Sequence, residues 1–256
     1  MHGSLIRVVV ALIAAGAARV GAQSTDVFVA ADEGARLRPI ARYDGREWTQ
    51  TCDVTGVVGA RQRTASIDAP RILASAAVRI DPIRQVKAGT PEWAGLEPVI
   101  RRLFRQRERE QNVTPSALAS REMTIEALSA NPQGSLPQLY FFNASKSLPD
   151  SRGDVDLDDD GEVDPPGTLR VDVSGWLRAG AGSATPLGTN ATLSWEQDED
   201  RPEGSRRSEL QPVALLRIGD RSVWVLRGRA AGATWFTLYD VGVSGVRTLV
   251  RSGSPC

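Results

Sequence analysis

The chain has 256 residues, in which 31 Lys and Arg balance 31 Asp and Glu. Hydrophobic residues make up 41% and charged residues 24%, proportions that exclude a wholly disordered or a fibrous protein. A formal net charge of zero does not provide the basic surface that counterion-release binding needs, so we expect no nucleic acid partner.

Residues 1–22 have the pattern of a signal peptide. Arg7 precedes a short apolar run, Val8 to Ala18, and small residues that suit a cleavage site end at Ala22. The run is shorter than the roughly 20 apolar residues of a membrane-spanning helix, so we expect cleavage and no transmembrane anchor afterwards. A retained anchor is the alternative. Arginine outnumbers lysine 29 to 2, a bias that we associate with GC-rich bacterial genomes, so the expected location is a bacterial periplasm or the extracellular medium.

Short extended runs with turn residues between them follow in the N-terminal third. Val27 to Ala30 predicts a strand, and Asp44-Gly45 predicts the turn of a hairpin. The segment from Arg71 to Ile80 fits a strand or a helix equally well, because an apolar run of that length suits both. Asp81-Pro82 ends it in either case.

One amphipathic helix is predicted after these strands. Thr90 is a favourable N-cap, Pro91 suits the first helical position, and apolar residues recur from there at three- and four-residue spacing. Pro98 predicts either a kink or a helix that begins near Glu97. We expect the helix to pack on the protein's own sheet, with a membrane surface or a partner protein as the alternative. A second, weaker helix is predicted from Ser116 to Ala130.

The C-terminal half predicts an antiparallel β meander. Its candidate strands are Gln138–Asn143, Thr168–Arg178, Ala191–Glu196, Val213–Ile218, Ser222–Arg227, Thr234–Val241 and Val246–Arg251. The run Val223 to Leu226 is apolar at every position, which predicts a central strand that is buried on both faces. Residues 197–209 are polar and of mixed charge, so a solvated loop is expected there.

An acidic segment between two of these strands carries the most specific motif of the chain. Residues 156–164 read DLDDDGEVD and fit the pattern DxDxDGxxD. This pattern resembles the first nine positions of the EF-hand type of calcium loop, which also occurs in dockerins. The resemblance implies a Ca²⁺ site with oxygen ligands from Asp156, Asp158, Asp160, Glu162 (through its carbonyl) and Asp164.

The segment departs from the EF-hand pattern beyond its ninth position. Gly167 stands where the family has a bidentate Glu, and Pro165-Pro166 prevents the usual exit helix. We therefore expect weak binding, with a Kd on the order of 10⁻⁴–10⁻³ M. Asp172, or a carboxylate from elsewhere, is a candidate to complete the ligand shell. A solvated acidic turn without metal is the alternative.

Histidine and cysteine usage narrows the possible chemistry. The only histidine is His2, so the cleaved protein has none, which excludes hydrolysis by a Ser-His-Asp or Cys-His pair and most catalytic zinc sites. The only cysteines, Cys52 and Cys256, predict one disulfide in an oxidising compartment. By the chain-entropy model such a bond contributes about 5 kcal/mol. A reactive or intermolecular thiol is the alternative.

The expected fold is mainly β or α+β, in which the C-terminal meander forms a sandwich or barrel-like sheet with one amphipathic helix packed on it. Residues 23–256 form one domain, or two subdomains of residues 23–135 (mixed α/β) and 136–256 (antiparallel sheet). Five tryptophans are candidates for core packing or, alternatively, for a platform that stacks on sugar rings, namely Trp48, Trp176, Trp195, Trp224 and Trp235.

Three functions are compatible with these patterns. The favoured one is an exported, non-catalytic binding, envelope or accessory protein, calcium-stabilised, with an unidentified protein or a carbohydrate as ligand. A glycosidase-like hydrolase that uses two carboxylates needs no histidine and is the second. A structural or surface-assembly subunit is the third. A tryptophan-lined cleft that holds two close carboxylates would favour the hydrolase, and no catalytic residue is assigned from the sequence.

Overall fold

A computed structural model describes residues 26–33, 37–54, 70–75, 78–110, 121–149, 168–180, 183–196, 209–219, 221–230 and 233–253. Within these ranges the chain forms three antiparallel sheets and one helix. This confirms the expected β-rich α+β fold with a C-terminal meander and a single packed helix.

Sheet A is built from the N-terminal strands and has the order β3-β2-β1-β4. Its members are β1 (Val27–Asp32), β2 (Leu37–Tyr43), β3 (Trp48–Gln50) and β4 (Arg71–Ala74). The β2–β3 hairpin turns at Asp44-Gly45 as predicted. The Asp44 side chain accepts hydrogen bonds from the backbone N–H groups of Arg46 (2.8 Å) and Glu47 (3.0 Å), and Gly45 has a φ of 93° that favours glycine.

Sheet B has the order β14-β13-β12-β11-β5 and sheet C the order β10-β9-β8-β7-β6. The strands of sheet B are β5 (Arg79–Asp81), β11 (Glu209–Ile218), β12 (Arg221–Ala230), β13 (Ala233–Val241) and β14 (Val246–Ser252). The strands of sheet C are β6 (Arg84–Gln85), β7 (Thr124–Ala130), β8 (Leu139–Pro149), β9 (Thr168–Ala179) and β10 (Ala184–Glu196). All seven strands predicted in the C-terminal half are present, and the predicted segment from Arg71 to Ile80 forms parts of β4 and β5.

The helix α1 (Pro91–Glu110) begins where its sequence predicts. Thr90 Oγ1 accepts a hydrogen bond from the backbone N–H of Trp93 (3.2 Å), as an N-cap does. The alternative start near Glu97 is wrong, because the helix continues through Pro98. Pro98 lacks the backbone N–H that would donate to the Ala94 carbonyl. Both residues lie on the exposed face of the helix.

The second predicted helix, Ser116–Ala130, is wrong over its C-terminal half, where Thr124–Ala130 forms β7. This segment pairs with β8 along its whole length and with β6 at its end. Leu128 and Ala130 thereby join the core beneath α1, so tertiary pairing overrides a weak local helix preference. Residues 116–120 lie outside the described residues.

The elements stack in four layers, in the order sheet A, sheet B, sheet C and α1. Alternate side chains of the inner strands pack against the layers on either side. On β12, Val223 and Val225 pack toward sheet A, while Trp224 and Leu226 pack toward sheet C. On β8, Phe142 packs toward α1 and its neighbour Phe141 toward sheet B. Because sheets B and C are buried on both faces, strands such as β8, β11 and β12 carry continuous apolar runs, and β12 is central as predicted.

Strand pairs join the N-terminal and C-terminal parts of the chain. β5 pairs with β11, and the β7–β8 hairpin crosses the boundary between residues 135 and 136.

Fully buried large side chains such as Trp224, Phe104 and Phe141 each contribute about 1.5–3 kcal/mol of burial free energy.

Candidate functional site

A cleft of about 600 Å³ opens between sheets B and C. One wall comes from β7 to β10 of sheet C, together with the last turns of α1. The other comes from β11, β13 and β14 of sheet B. Its volume falls within the range of about 300–1,000 Å³ that is typical of small-molecule sites.

The cleft forms because the facing residues change from apolar to polar halfway along the strands. On β9, Trp176 is buried between the sheets, and the next residues on the same face are Ser174 and Asp172. On β8, Phe141 is likewise followed by Asn143. The apolar halves of the two sheets pack together, whereas the polar halves line an open space.

An aromatic cluster lies beside this cleft, and one of its rings, Tyr239, lines it. The ring centroid of Trp176 lies 4.9 Å from those of both Phe141 and Trp224, and 5.9 Å from that of Tyr239. A smaller space of about 210 Å³ adjoins the cleft here, between the edge strands β10 and β14. The rings of Phe141, Trp176 and Tyr239 line this smaller space.

Two carboxylates line the cleft and share one guanidinium. Arg170 Nε donates to Asp172 Oδ1 (2.9 Å), and Arg170 Nη2 forms a short ion pair with Glu126 Oε1. Glu126 also accepts a hydrogen bond from the Ser145 hydroxyl (2.8 Å). Burial opposes the charge of Arg170, but its hydrogen bonds to Asp172 and Glu126 raise the pKa of this guanidinium above its usual value. The two acids therefore share one cation, whose side chain is 10% exposed.

Arg107 brings the end of α1 to the cleft. Its Nε donates to Thr189 Oγ1 (2.7 Å) and its Nη2 to the Thr189 carbonyl (3.2 Å) on β10. Its Nη1 pairs with Glu110 at 2.5 Å. The guanidinium thus fixes the helix to β10 and has its own counter-ion.

Trp235 and Arg251 lie on the opposite wall. The guanidinium carbon of Arg251 lies 4.8 Å from the centroid of the Trp235 ring, within cation–π range. Beneath the ring, Gly228 on β12 is paired with Trp235, and a Cβ at this glycine would overlap the indole. The missing side chain therefore lets the indole lie against the backbone of β12.

The proposed calcium ligands Asp156, Asp158, Asp160, Glu162 and Asp164 all lie outside the described residues, so the metal site stays a prediction. Asp172, the candidate to complete that site, contacts Arg170 in the cleft. Among the described residues, no group of three or more His, Cys, Asp or Glu side chains is placed to hold a metal ion.

Cys52 follows β3, and Cys256 lies outside the part of the chain that the structure describes, so their disulfide also stays a prediction. Trp176 and Trp224 are core residues, Trp48 stacks on Tyr43, and Trp235 lines the cleft. Within the described ranges, no helix is long and apolar enough to cross a membrane.

Several residues of the cleft were not singled out by their sequence pattern. Glu126 lies in the segment whose spacing predicted a helix, and Arg251 is one of many arginines. The usable signal was the change of residue type along single strands, from Phe141 to Asn143 and from Trp176 to Asp172. That change indicates that one end of a buried sheet face is polar, but it does not indicate which strands of another sheet lie opposite that end.

The chain has no significant match to a family model, a curated protein or a solved structure.

Proposed function

We propose that the protein is an exported, non-catalytic binding protein, and that its ligand is a carbohydrate held in the cleft between sheets B and C. The observation that supports this proposal is the polar lining of the cleft, which comes from both walls. Its neutral hydrogen-bonding side chains include Asn143, Ser174, Asn190, Thr192, Thr237 and Thr248.

Carboxamide and hydroxyl groups suit a ligand rich in hydroxyls. Each of them can both donate and accept, as each sugar hydroxyl does. The Asn143 side-chain amide already donates a hydrogen bond to the Leu210 carbonyl (2.5 Å), and this bond fixes the orientation of the amide. Asn190, Thr192 and Thr248 are exposed and accessible from the mouth of the cleft.

A carboxylate-dependent hydrolase is the second candidate, and a specific observation favours it. Glu126 and Asp172 both line the cleft, and both contact one guanidinium, so they lie close together. Hydrolysis of a glycosidic bond requires one acid that holds a proton for the leaving group. Arg170 instead donates hydrogen bonds to both carboxylates, an arrangement that stabilises anions, so binding without catalysis is the better-supported function.

Calorimetric titration of residues 23–256 with neutral and acidic oligosaccharides tests the proposal. Thr192→Trp, which fills the cleft from β10, is expected to weaken binding at least tenfold by steric exclusion. Thr185→Trp is the matched control, because Thr185 is exposed on the same strand but does not line the cleft.

Two outcomes would contradict this function. Equal binding by both tryptophan variants would place the ligand elsewhere, and no binding of any oligosaccharide at millimolar concentration would exclude a carbohydrate ligand. Chromatography of the same mixtures tests the second candidate. Released product that disappears in Glu126→Gln or Asp172→Asn would instead identify a hydrolase.

A further inference from the structure

Within the described part of the chain, Arg251 differs from the other arginines at the cleft in having no carboxylate partner. Its exposed side chain lines the cleft from β14, opposite Thr237 in the β13–β14 register. Among the described residues, no carboxylate lies within ion-pair distance of it and none accepts a hydrogen bond from it. Its guanidinium lies over the ring of Trp235.

The other two arginines of the site are neutralised within the protein. Arg107 pairs with Glu110, and Arg170 pairs with both Glu126 and Asp172. On the sheet C side these two arginines face three carboxylates, so this group of residues carries a net charge of −1. Within the described part of the lining, the positive charge without a carboxylate partner lies on the sheet B wall, at Arg251.

The position of this guanidinium is fixed by the ring beneath it. Trp235 lies against the backbone of β12, where Gly228 leaves space that a larger residue would fill. A guanidinium that rests on a held indole keeps its N–H groups directed outward. This planar fork matches a carboxylate, sulfate or phosphate group in two parallel hydrogen bonds. Less side-chain freedom is then lost on binding, because the fork is already in place.

We infer that the ligand is an acidic saccharide, with its anionic group on Arg251 and its hydroxyls on the neutral side chains of the sheet C wall. This inference rests on the proposed carbohydrate-binding function. Glu126 and Asp172 lie on the wall across from Arg251 and repel an anion, which favours a single orientation of the ligand in the cleft.

A glycan array tests the class of ligand. It carries oligosaccharides with uronate, sulfate or phosphate groups, each beside its neutral counterpart, and is probed with residues 23–256 at 50 mM and at 500 mM salt. Acidic members are expected to bind more strongly than their counterparts at low salt. Because Arg251 is exposed, this preference is expected to weaken at high salt. Comparison of the uronate and phosphate members identifies which anion is preferred.

Calorimetry with the best acidic member and its neutral counterpart then tests the residue. Arg251→Gln is expected to lower affinity for the acidic member roughly ten- to a hundredfold, since it removes a charge-assisted hydrogen bond, and to lower affinity for the neutral member much less. Arg247→Gln is the matched control on the same strand, outside the cleft lining, and is expected to change either affinity less than twofold. Thermal melts of both variants establish that each is folded.

The outcomes separate this inference from the proposed function. If neutral and acidic members bind equally, or if Arg251→Gln behaves as Arg247→Gln does, the acidic class is wrong, while loss of binding in Thr192→Trp would still support a carbohydrate site. If no array member binds, both proposals fail.

Discussion

At the scale of single residues, the wall of the cleft depends on one glycine. Gly228 pairs with Trp235 across β12 and β13, and the indole occupies the space that a side chain at position 228 would take. Arg251 lies over the same ring. The orientation of Arg251, the proposed anion-binding residue, therefore depends indirectly on Gly228, because the missing side chain there lets the indole lie where Arg251 contacts it.

Gly228→Ala is expected to displace the indole and with it Arg251. Inserting a methyl group into this contact should lower the free energy of unfolding by about 1–3 kcal/mol. The tryptophan emission spectrum should also change. Urea denaturation followed by fluorescence measures both effects.

Gly188→Ala is the control for this substitution. A Cβ at Gly188 would meet its nearest neighbour, Val246 Cγ2, at 3.9 Å, an ordinary contact. Its unfolding midpoint should therefore stay close to that of the wild type. Equal destabilisation by the two substitutions would show that the Gly228–Trp235 contact has no special role.

At the scale of elements, an ion pair ties the first turn of α1 to β6. Arg84 contacts Glu92 through two parallel bonds, Nη1 to Oε2 at 2.6 Å and Nη2 to Oε1 at 2.7 Å. The bonds from Arg84 hold the pKa of Glu92 below its ordinary value of 4.5, against the effect of burial, and a bond with Tyr140 lowers it further. Burial, and then the bond with Glu92, raise the pKa of Tyr140 to about 12.

This pair predicts a pH dependence of stability. Since the pKa of Glu92 is lower in the folded protein, its stabilising contribution is complete above pH 4.5 and is lost as the pH falls through the folded value. Arg84 and Glu92 are each 31% exposed, so solvent screens their interaction only in part. Glu92→Gln should therefore lower the free energy of unfolding by about 1–2 kcal/mol at pH 7. The difference from the wild type should shrink below pH 4.5.

Urea denaturation at pH 7, 5, 4 and 3 measures this difference. Glu97→Gln serves as control. The partners of Glu97 are Arg101, in an i,i+4 pair, and the Trp93 indole, which donates to Glu97 Oε2 (3.1 Å), so its bonds stay within the helix and the effect at pH 7 should be smaller. A difference between Glu92→Gln and the wild type that stays constant down to pH 3 would be inconsistent with this role.

At the scale of the whole molecule, the sequence predicts a calcium loop that connects β8 and β9, two neighbouring strands of sheet C. If residues 156–164 bind Ca²⁺ with the expected weak affinity, millimolar calcium should stabilise the folded protein by roughly 1–2 kcal/mol. A rise of a few degrees in Tm is then expected for residues 23–256 relative to the same protein in chelator.

Asp158→Asn and Asp160→Asn should abolish this rise, since each removes a negatively charged ligand. Differential scanning calorimetry of the three proteins, each with calcium and with chelator, makes the comparison. Identical melts of the wild type in both conditions would reduce the segment to a solvated acidic turn.

The amino-acid sequence by itself determined the local elements. The cap at Thr90 and the three- and four-residue spacing after it placed α1, and turn residues between alternating runs placed the C-terminal strands. These signals are local, because a cap, a turn or an apolar stripe depends on residues within a few positions of one another. The continuous apolar run on β12 even indicated its place at the centre of sheet B.

Only the tertiary structure decided which surfaces meet. Thr124–Ala130 is a strand because β8 and β6 pair with it, and both partners lie outside the segment, β6 more than 30 residues before it. The cleft brings together Glu126, Asp172 and Arg251, which come from three strands of two sheets. An alternating pattern shows which residues share a face, but the opposing face is set by long-range pairing and by the packing of buried side chains. The candidate site therefore exists only once the two sheets are stacked.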